Sequence, residues 1–140
     1  MPFTSESHVT VRYAETDRMG VVYYANYLVW MEVGRTDFLA ELGFPYSRLE
    51  EEGFLFPTSD CSLRIIHPTR YEERLAIHTS LVKLHSRRVV FNYEIARDHQ
   101  VVVTGTTSHI CVDPHLQVKT LPQPLHAALK KALNDEKQAS

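Results

Sequence analysis

The sequence predicts an α+β fold: a curved antiparallel sheet of about five strands wrapped around one long helix. Three observations carry this. A single long helical stripe runs between Tyr24 and Leu42. The hydrophobic period then changes from helical to two near residue 60. From there at least four strand-like segments follow one another with links of hairpin length, which favours antiparallel neighbours over crossovers.

Each element has its own signal. His8-Val9-Thr10-Val11-Arg12-Tyr13 alternates and is partly β-branched, as in a strand. An irregular segment surrounds Asp17 to Gly20. The helix opens near Val22 to Tyr24, and Tyr24, Tyr27, Leu28, Met31, Phe38, Leu39 and Leu42 recur at steps of three and four, with Gly34 in the same row. Gly43 followed by Phe44-Pro45 ends it, and a short second helix is expected from Pro45 to Glu52, closed by Gly53. Glu50-Glu51-Glu52 reads as a solvated helix face. Strands follow at Cys61–Ile66, Leu75–Val82, Val89–Ala96 and Val101–Val112, with turns near Ser86-Arg87 and at Arg97–Gln100. A last helix is expected from about Pro124 to Asn134, entered through Leu121-Pro122-Gln123-Pro124. One helix covers one face of such a sheet. The other face also carries apolar positions, so a second subunit is expected to cover it.

Composition excludes several classes of function. The chain has 140 residues, room for a single domain over residues 1–140. Its hydrophobic share is 44% and its charged share 23%, ordinary for a folded globular domain. Formal net charge is −2, and neither half is basic enough to serve as a footprint for nucleic acid. No apolar run is long enough for stable membrane insertion, and the first residues do not have the pattern of a secretory signal. Cys61 and Cys111 are the two cysteines, far apart, as in a reduced cytoplasmic protein rather than a disulfide scaffold.

The densest chemistry lies between Tyr13 and Glu32, which holds five of the aromatic residues. Asp17 sits in a loop, three residues before Gly20 and just ahead of a helix start. A helix N-terminus offers unpaired N–H groups and partial positive charge, a place where a developing oxyanion can be held. A neighbouring carboxylate can attack a polarised carbonyl or activate water against it. The arrangement suits acyl transfer to water. Residue types alone leave open that Asp17 is only a helix cap or loop carboxylate, that Gly20 is only a tight turn, and that the tyrosines are core. Glu32 and Asp60 are further carboxylates, and Glu32 is expected to pair with Arg35 at spacing three. His109, Cys111 and His115 form a metal-like trio on paper, but no fourth ligand is evident and no metal is assigned.

The run Tyr13-x-Glu-Thr-Asp17-x-x-Gly20-x-Val22-Tyr23-Tyr24-Ala25-Asn26-Tyr27-Leu28-x-Trp30-x-Glu32, followed by Arg35, resembles the signature of hot-dog-fold acyl-CoA thioesterases. The similarity is to the 4-hydroxybenzoyl-CoA thioesterase family, including its Tol–Pal-associated branch. It extends through Gly43-Phe44-Pro45-Tyr46, the turn at Pro68 and the final strands. The resemblance implies a hot-dog fold and hydrolysis of an acyl- or aryl-CoA without a cofactor. It implies Asp17 as catalytic nucleophile or general base and the backbone N–H of Tyr24 as the donor that polarises the thioester carbonyl. Gly20, Val22, Tyr23, Asn26 and Tyr27 then fall in the substrate-binding region, with Tyr23, Tyr24, Tyr27 and Trp30 around an aromatic slot. Much of the Tol–Pal branch has His where this chain has Tyr24, whereas the hydroxybenzoyl branch has Tyr. The resemblance also implies a homo-oligomer, a dimer or tetramer with its active site at the dimer interface.

Coenzyme A carries phosphates, which call for Arg or Lys; Arg70, Arg87 and Arg88 are the candidates. The competing readings are an acyl-acyl-carrier-protein thioesterase, a hot-dog dehydratase or hydratase, and a non-catalytic subunit that binds acyl-CoA or acyl-carrier protein. The dehydratase needs a His in the loop, which this chain lacks. The non-catalytic subunit does not need the carboxylate, which this chain has.

Overall fold

Five strands pair antiparallel in the order β1-β3-β4-β5-β2 in a computed structural model that describes residues 3–139. They are β1 (Thr4–Thr10), β2 (Thr58–Ile65), β3 (Arg74–Leu84), β4 (Arg88–Arg97) and β5 (Gln100–Ile110). The sheet curves around α1 (Ala25–Glu41). A short α2 (Tyr46–Glu51) follows α1, and α3 (Gln123–Ala139) ends the described chain. Gly43 and Gly53 both take positive φ, +91° and +86°, as the two helix stops require. No helix among the described residues is long and apolar enough to cross a membrane.

The alternation read in the sequence is the alternation of burial. Leu75, Ile77 and Leu81 of β3, and Val89, Phe91, Tyr93 and Ile95 of β4, face α1 and are buried. They meet Tyr27, Trp30, Met31, Phe38 and Leu39 on the helix stripe. Gly34 faces β3, where a Cβ would collide with the Thr79 hydroxyl, so the glycine permits a close helix–sheet approach. Leu121, Leu125, Leu129 and Ala132 close the core beside the C-terminal half of α1, where Phe3 packs edge-on to Phe38. The other sheet face is more polar than expected: His78, Ser80, Asn92, Glu94, Thr104 and Thr106 lie there beside Val90 and Val101.

Two expectations shift. The first strand spans Thr4–Thr10 rather than His8–Tyr13, and Tyr13–Glu15 is a single 3-10 turn. Its early half hides in the sequence because its inward residues are serines. Ser5 and Ser7, both buried, donate from their hydroxyls to Glu41 Oε1 (3.0 Å) and Asp37 Oδ2 (2.6 Å) on α1. Hydrogen bonding rather than apolar area thus ties this edge strand to the helix. The last helix is also longer than Pro124–Asn134, running from Gln123 to Ala139.

A buried polar chain crosses the core. Tyr93 Oη and Thr107 Oγ1 are 2.6 Å apart, and Thr107 Oγ1 is 2.8 Å from His109 Nε2. His109 Nδ1 lies 3.3 Å from the Phe56 carbonyl oxygen. Burial is the main force that lowers the His109 pKa from 6.5 to about 4, and the Arg35 charge adds to it. The folded state therefore holds a neutral imidazole, while the unfolded chain takes up a proton below about pH 6.5. This stabilisation is complete above that pH and is lost as pH falls towards 4, by roughly 3 kcal/mol in all. Urea unfolding between pH 7 and 4.5 should show His109→Gln losing less stability on acidification than the parent. Equal losses in both would contradict the assignment.

Candidate active site

The Asp17 loop is a miniature hairpin. Thr16 bridges Val22, the Tyr23 N–H donates to the Glu15 carbonyl (2.8 Å), and the Asp17 N–H donates to the Val21 carbonyl (2.9 Å). Arg18, Met19 and Gly20 form the tip. Gly20 has φ +79°, a conformation that a side chain would strain, and its N–H donates to the Asp17 carbonyl (2.9 Å). Asp17 is half-buried, and its Oδ1 accepts the Met19 N–H at 2.8 Å. The second carboxylate oxygen, Oδ2, has no partner among the described residues.

The hairpin leads directly into α1. Tyr24 is the N-cap, already helical at φ −57° and ψ −29°, and its side chain caps nothing. Asn26 and Tyr27 donate their N–H groups back to the Tyr23 and Tyr24 carbonyls. The N–H groups of Tyr24 and Ala25 have no acceptor among the described residues. A carboxylate with a free oxygen thus stands on the hairpin that feeds an uncapped helix N-terminus. That pairing can hold a thioester carbonyl at the helix and present a nucleophile or base to it.

Glu15, which the sequence reading passed over, fixes this geometry. Its side chain is buried and accepts the Arg12 N–H (2.7 Å) and the Trp30 Nε1–H (3.1 Å). Its carbonyl accepts from Tyr23 N and from Asn26 Nδ2 (3.0 Å). The available signal was weak: an acidic residue three after Arg12, with a tryptophan fifteen residues further on.

The structure divides the remaining candidates. Tyr23 and Tyr24 are exposed and touch ring to ring at 4.9 Å. Tyr27 and Trp30 point into the core, where Tyr27 Oη lies 2.7 Å from Thr69 Oγ1. The four aromatics therefore do not line one slot, because steps of three and four send Tyr27 and Trp30 to the buried face. Val22 is buried, its N–H donating to the Thr69 carbonyl (2.8 Å). The Asn26 amide holds the Glu15 and Tyr23 carbonyls together.

Arg70 lies at the same end of the sheet as Asp17, in the loop whose Thr69 binds Val22. Arg87 and Arg88 lie at the β3–β4 turn, the full length of β3 away, roughly 33 Å at about 3.3 Å per residue. Glu32 and Arg35 form no ion pair among the described residues. Arg35 instead lies near the Tyr46 and Tyr93 hydroxyls, where its charge favours the phenolates, while burial, the larger effect, raises both phenols, that of Tyr46 to about 12. Asp60 is exposed on β2. His109, Cys111 and His115 do not converge. Both His109 nitrogens face protein groups, Cys111 is buried with its thiol pushed up to about 11, and His115 sits on an exposed turn.

Comparison with known proteins gives one answer. The model of the thioesterase-like superfamily matches residues 11–133. The Bacillus subtilis protein named "Putative acyl-CoA thioesterase YneP" is 41% identical over 133 residues, covering 91% of this chain and 96% of the relative. A 1,4-dihydroxy-2-naphthoyl-CoA hydrolase of Thermosynechococcus vestitus is 32% identical, covering 88% of this chain and 86% of the relative. The crystal structure of a DHNA-CoA thioesterase from Staphylococcus aureus superposes with a TM-score of 0.92 at 32% identity, covering 98% of this chain and 95% of that one.

Proposed function

The chain belongs to the thioesterase-like superfamily, and from that membership we propose that it hydrolyses an acyl- or aryl-CoA to the free acid and coenzyme A. The protein is a thioester hydrolase with the hot-dog fold. The observation that carries the reading is the Asp17 hairpin set against the uncapped start of α1. Similarity to the 4-hydroxybenzoyl-CoA group rests on the same Asp17–Tyr24 motif.

In this mechanism the thioester oxygen lies at the N–H groups of Tyr24 and Ala25. Charge developing on that oxygen is then met by fixed donors and the positive end of α1. The free Asp17 oxygen either attacks the carbonyl carbon or takes a proton from an attacking water. In the first case the C–S bond breaks, coenzyme A leaves as the thiolate, and water cleaves the acyl-Asp17 anhydride. In the second, water adds directly and the same C–S bond breaks. Gly20 keeps the hairpin tip narrow beside the substrate, and the exposed Tyr23 and Tyr24 rings flank its path. Val22, Asn26 and Tyr27 serve by holding this surface in place.

Assembly belongs to the same proposal. β2 is an edge strand bonded only to β5, and it is exposed along nearly all its length. An open edge of this kind is a template for another strand. Antiparallel pairing of two β2 strands about a twofold axis sets the Ile65 end of one beside the Thr58 end of the other. Thr58 pairs with His109 of β5, close to where Arg88 pairs with Ile110. The Arg87–Arg88 turn of a second copy thereby reaches the sheet end that carries Asp17. This supports an active site at a dimer interface, with a tetramer formed by further pairing of dimers.

Asp17→Asn retains an oxygen for the Met19 N–H, so the hairpin should persist while hydrolysis falls about 10²–10⁴-fold. Thiol release from a panel of aryl-, short- and long-chain acyl-CoA substrates measures this. A variant as fast as the parent on the best substrate refutes the role of Asp17. Light scattering of the active protein should give a dimer or larger, and a stable, active monomer would refute the shared site.

A further inference from the structure

We propose that Tyr13 and Tyr71 form a platform on which the adenine ring of coenzyme A stacks, with Arg18 and Arg70 receiving its phosphates. This rests on the acyl-CoA reading above and locates the nucleotide within the same subunit as Asp17.

Two tyrosines from separate segments meet here in the open. Their rings are 5.7 Å apart, edge to face, with Tyr13 75% and Tyr71 52% exposed. A T-shaped pair leaves a ring face free for a planar partner. Isolated exposed aromatics need no explanation, but an edge-to-face pair beside a proposed active site does.

The platform is built rather than incidental. Glu72, next to Tyr71, has φ +69°, a strained conformation for a residue with a side chain. Several bonds hold it there. The Glu72 N–H donates to the Val11 carbonyl (3.0 Å), and the Val11 N–H donates to the Glu73 carbonyl (2.9 Å). Glu73 accepts the Arg70 N–H, and Arg97 Nη1 donates to both Glu73 carboxylate oxygens (3.1 and 3.0 Å) and to the Pro68 carbonyl (3.1 Å). The turn bearing Tyr71 is thus tied to the strand end that leads to Tyr13. A pre-formed surface loses little freedom when a ligand settles on it.

Charge and reach also fit. Arg18 and Arg70 are exposed, and neither guanidinium has an ion-pair partner among the described residues. Of the neighbouring carboxylates, Glu73 is paired with Arg97, Glu15 is buried against Trp30 and paired with Arg12, and Asp17 is half-buried in the active-site hairpin, leaving Glu72 as the exposed acid. Two free guanidiniums suit a polyanion. Tyr13 is four residues from Asp17, so their Cα atoms lie within about 14 Å. An extended pantetheine arm spans that distance between thioester and nucleotide. The Arg87–Arg88 turn is too remote to serve the same subunit.

The test is the double variant Tyr13→Ala/Tyr71→Ala, with Tyr71→Leu to keep apolar bulk while removing the aromatic face. Calorimetry with adenosine 3′,5′-bisphosphate reads the site without turnover. Rates with one acyl group on coenzyme A and on pantetheine alone read it in catalysis. Stacking on the order of tenfold per base is expected to be lost, both in affinity for the bisphosphate and in the preference for acyl-CoA over acyl-pantetheine. Tyr71→Leu should show part of the same loss. An unchanged preference and unchanged bisphosphate affinity would overturn the proposal. So would equal loss on both substrates with dissociation seen by light scattering, which makes the tyrosines an interface between copies. If the parent binds the bisphosphate through these tyrosines but cleaves no acyl-CoA, the nucleotide site stands and the hydrolase reading fails.

Discussion

A buried carboxylate, Glu15, holds the proposed active site in place. Removing a carboxylate from water is costly unless its oxygens find donors. Here they find the Arg12 N–H and the Trp30 indole, one on the approach to the hairpin and one on α1. The Glu15 carbonyl ties in Tyr23 and Asn26 at the helix entry. One residue therefore joins the strand end, the hairpin and the helix. Together with the Val22–Thr69 bond, these contacts fix the Asp17 hairpin against the start of α1, and with it the relation of Asp17 to the Tyr24 N–H.

The sheet sets the larger geometry. β1 ends and β3 begins beside the hairpin, and the loop before β3 supplies the Thr69 carbonyl to Val22 and its hydroxyl to Tyr27. Asp17, Tyr24, Arg70, Tyr13 and Tyr71 consequently gather at one end of the molecule. Arg87 and Arg88 stand at the other. A single chain does not bring both groups to one substrate; the proposed pairing of two copies at the β2 edge unites them.

Much of this was legible in the sequence, for physical reasons. Strands β3 and β4 were readable because one face is apolar at nearly every second residue, and β5 because it is rich in β-branched Val and Thr. The end of α1 was readable because Gly43 and Pro45 leave the chain little choice. The Asp17 segment stood out because its residue types match both a chemistry and a family signature. Other features were hidden because polar residues do interior work. Ser5 and Ser7 face inward through hydrogen bonds, which masked the start of β1. Glu15 looks like a surface acid until Trp30 is seen to donate to it. Spacing suggested that Arg35 pairs with Glu32, yet no such ion pair forms among the described residues, and the Arg35 charge acts on the phenols of Tyr46 and Tyr93. Tyr27 and Trp30 were grouped with Tyr23 and Tyr24 by nearness in sequence, and the helical repeat separates them.

The most direct test of this account is Glu15→Gln, which keeps the shape of the side chain and removes its second acceptor. Rates should be measured together with amide hydrogen exchange across residues 17–25 and a thermal unfolding curve. The account predicts a cooperative fold, faster exchange in the hairpin, and a fall in kcat of about 10²-fold as Asp17 loses its alignment. A variant with the parent's kcat and the parent's exchange in that segment would show that the hairpin is positioned without Glu15.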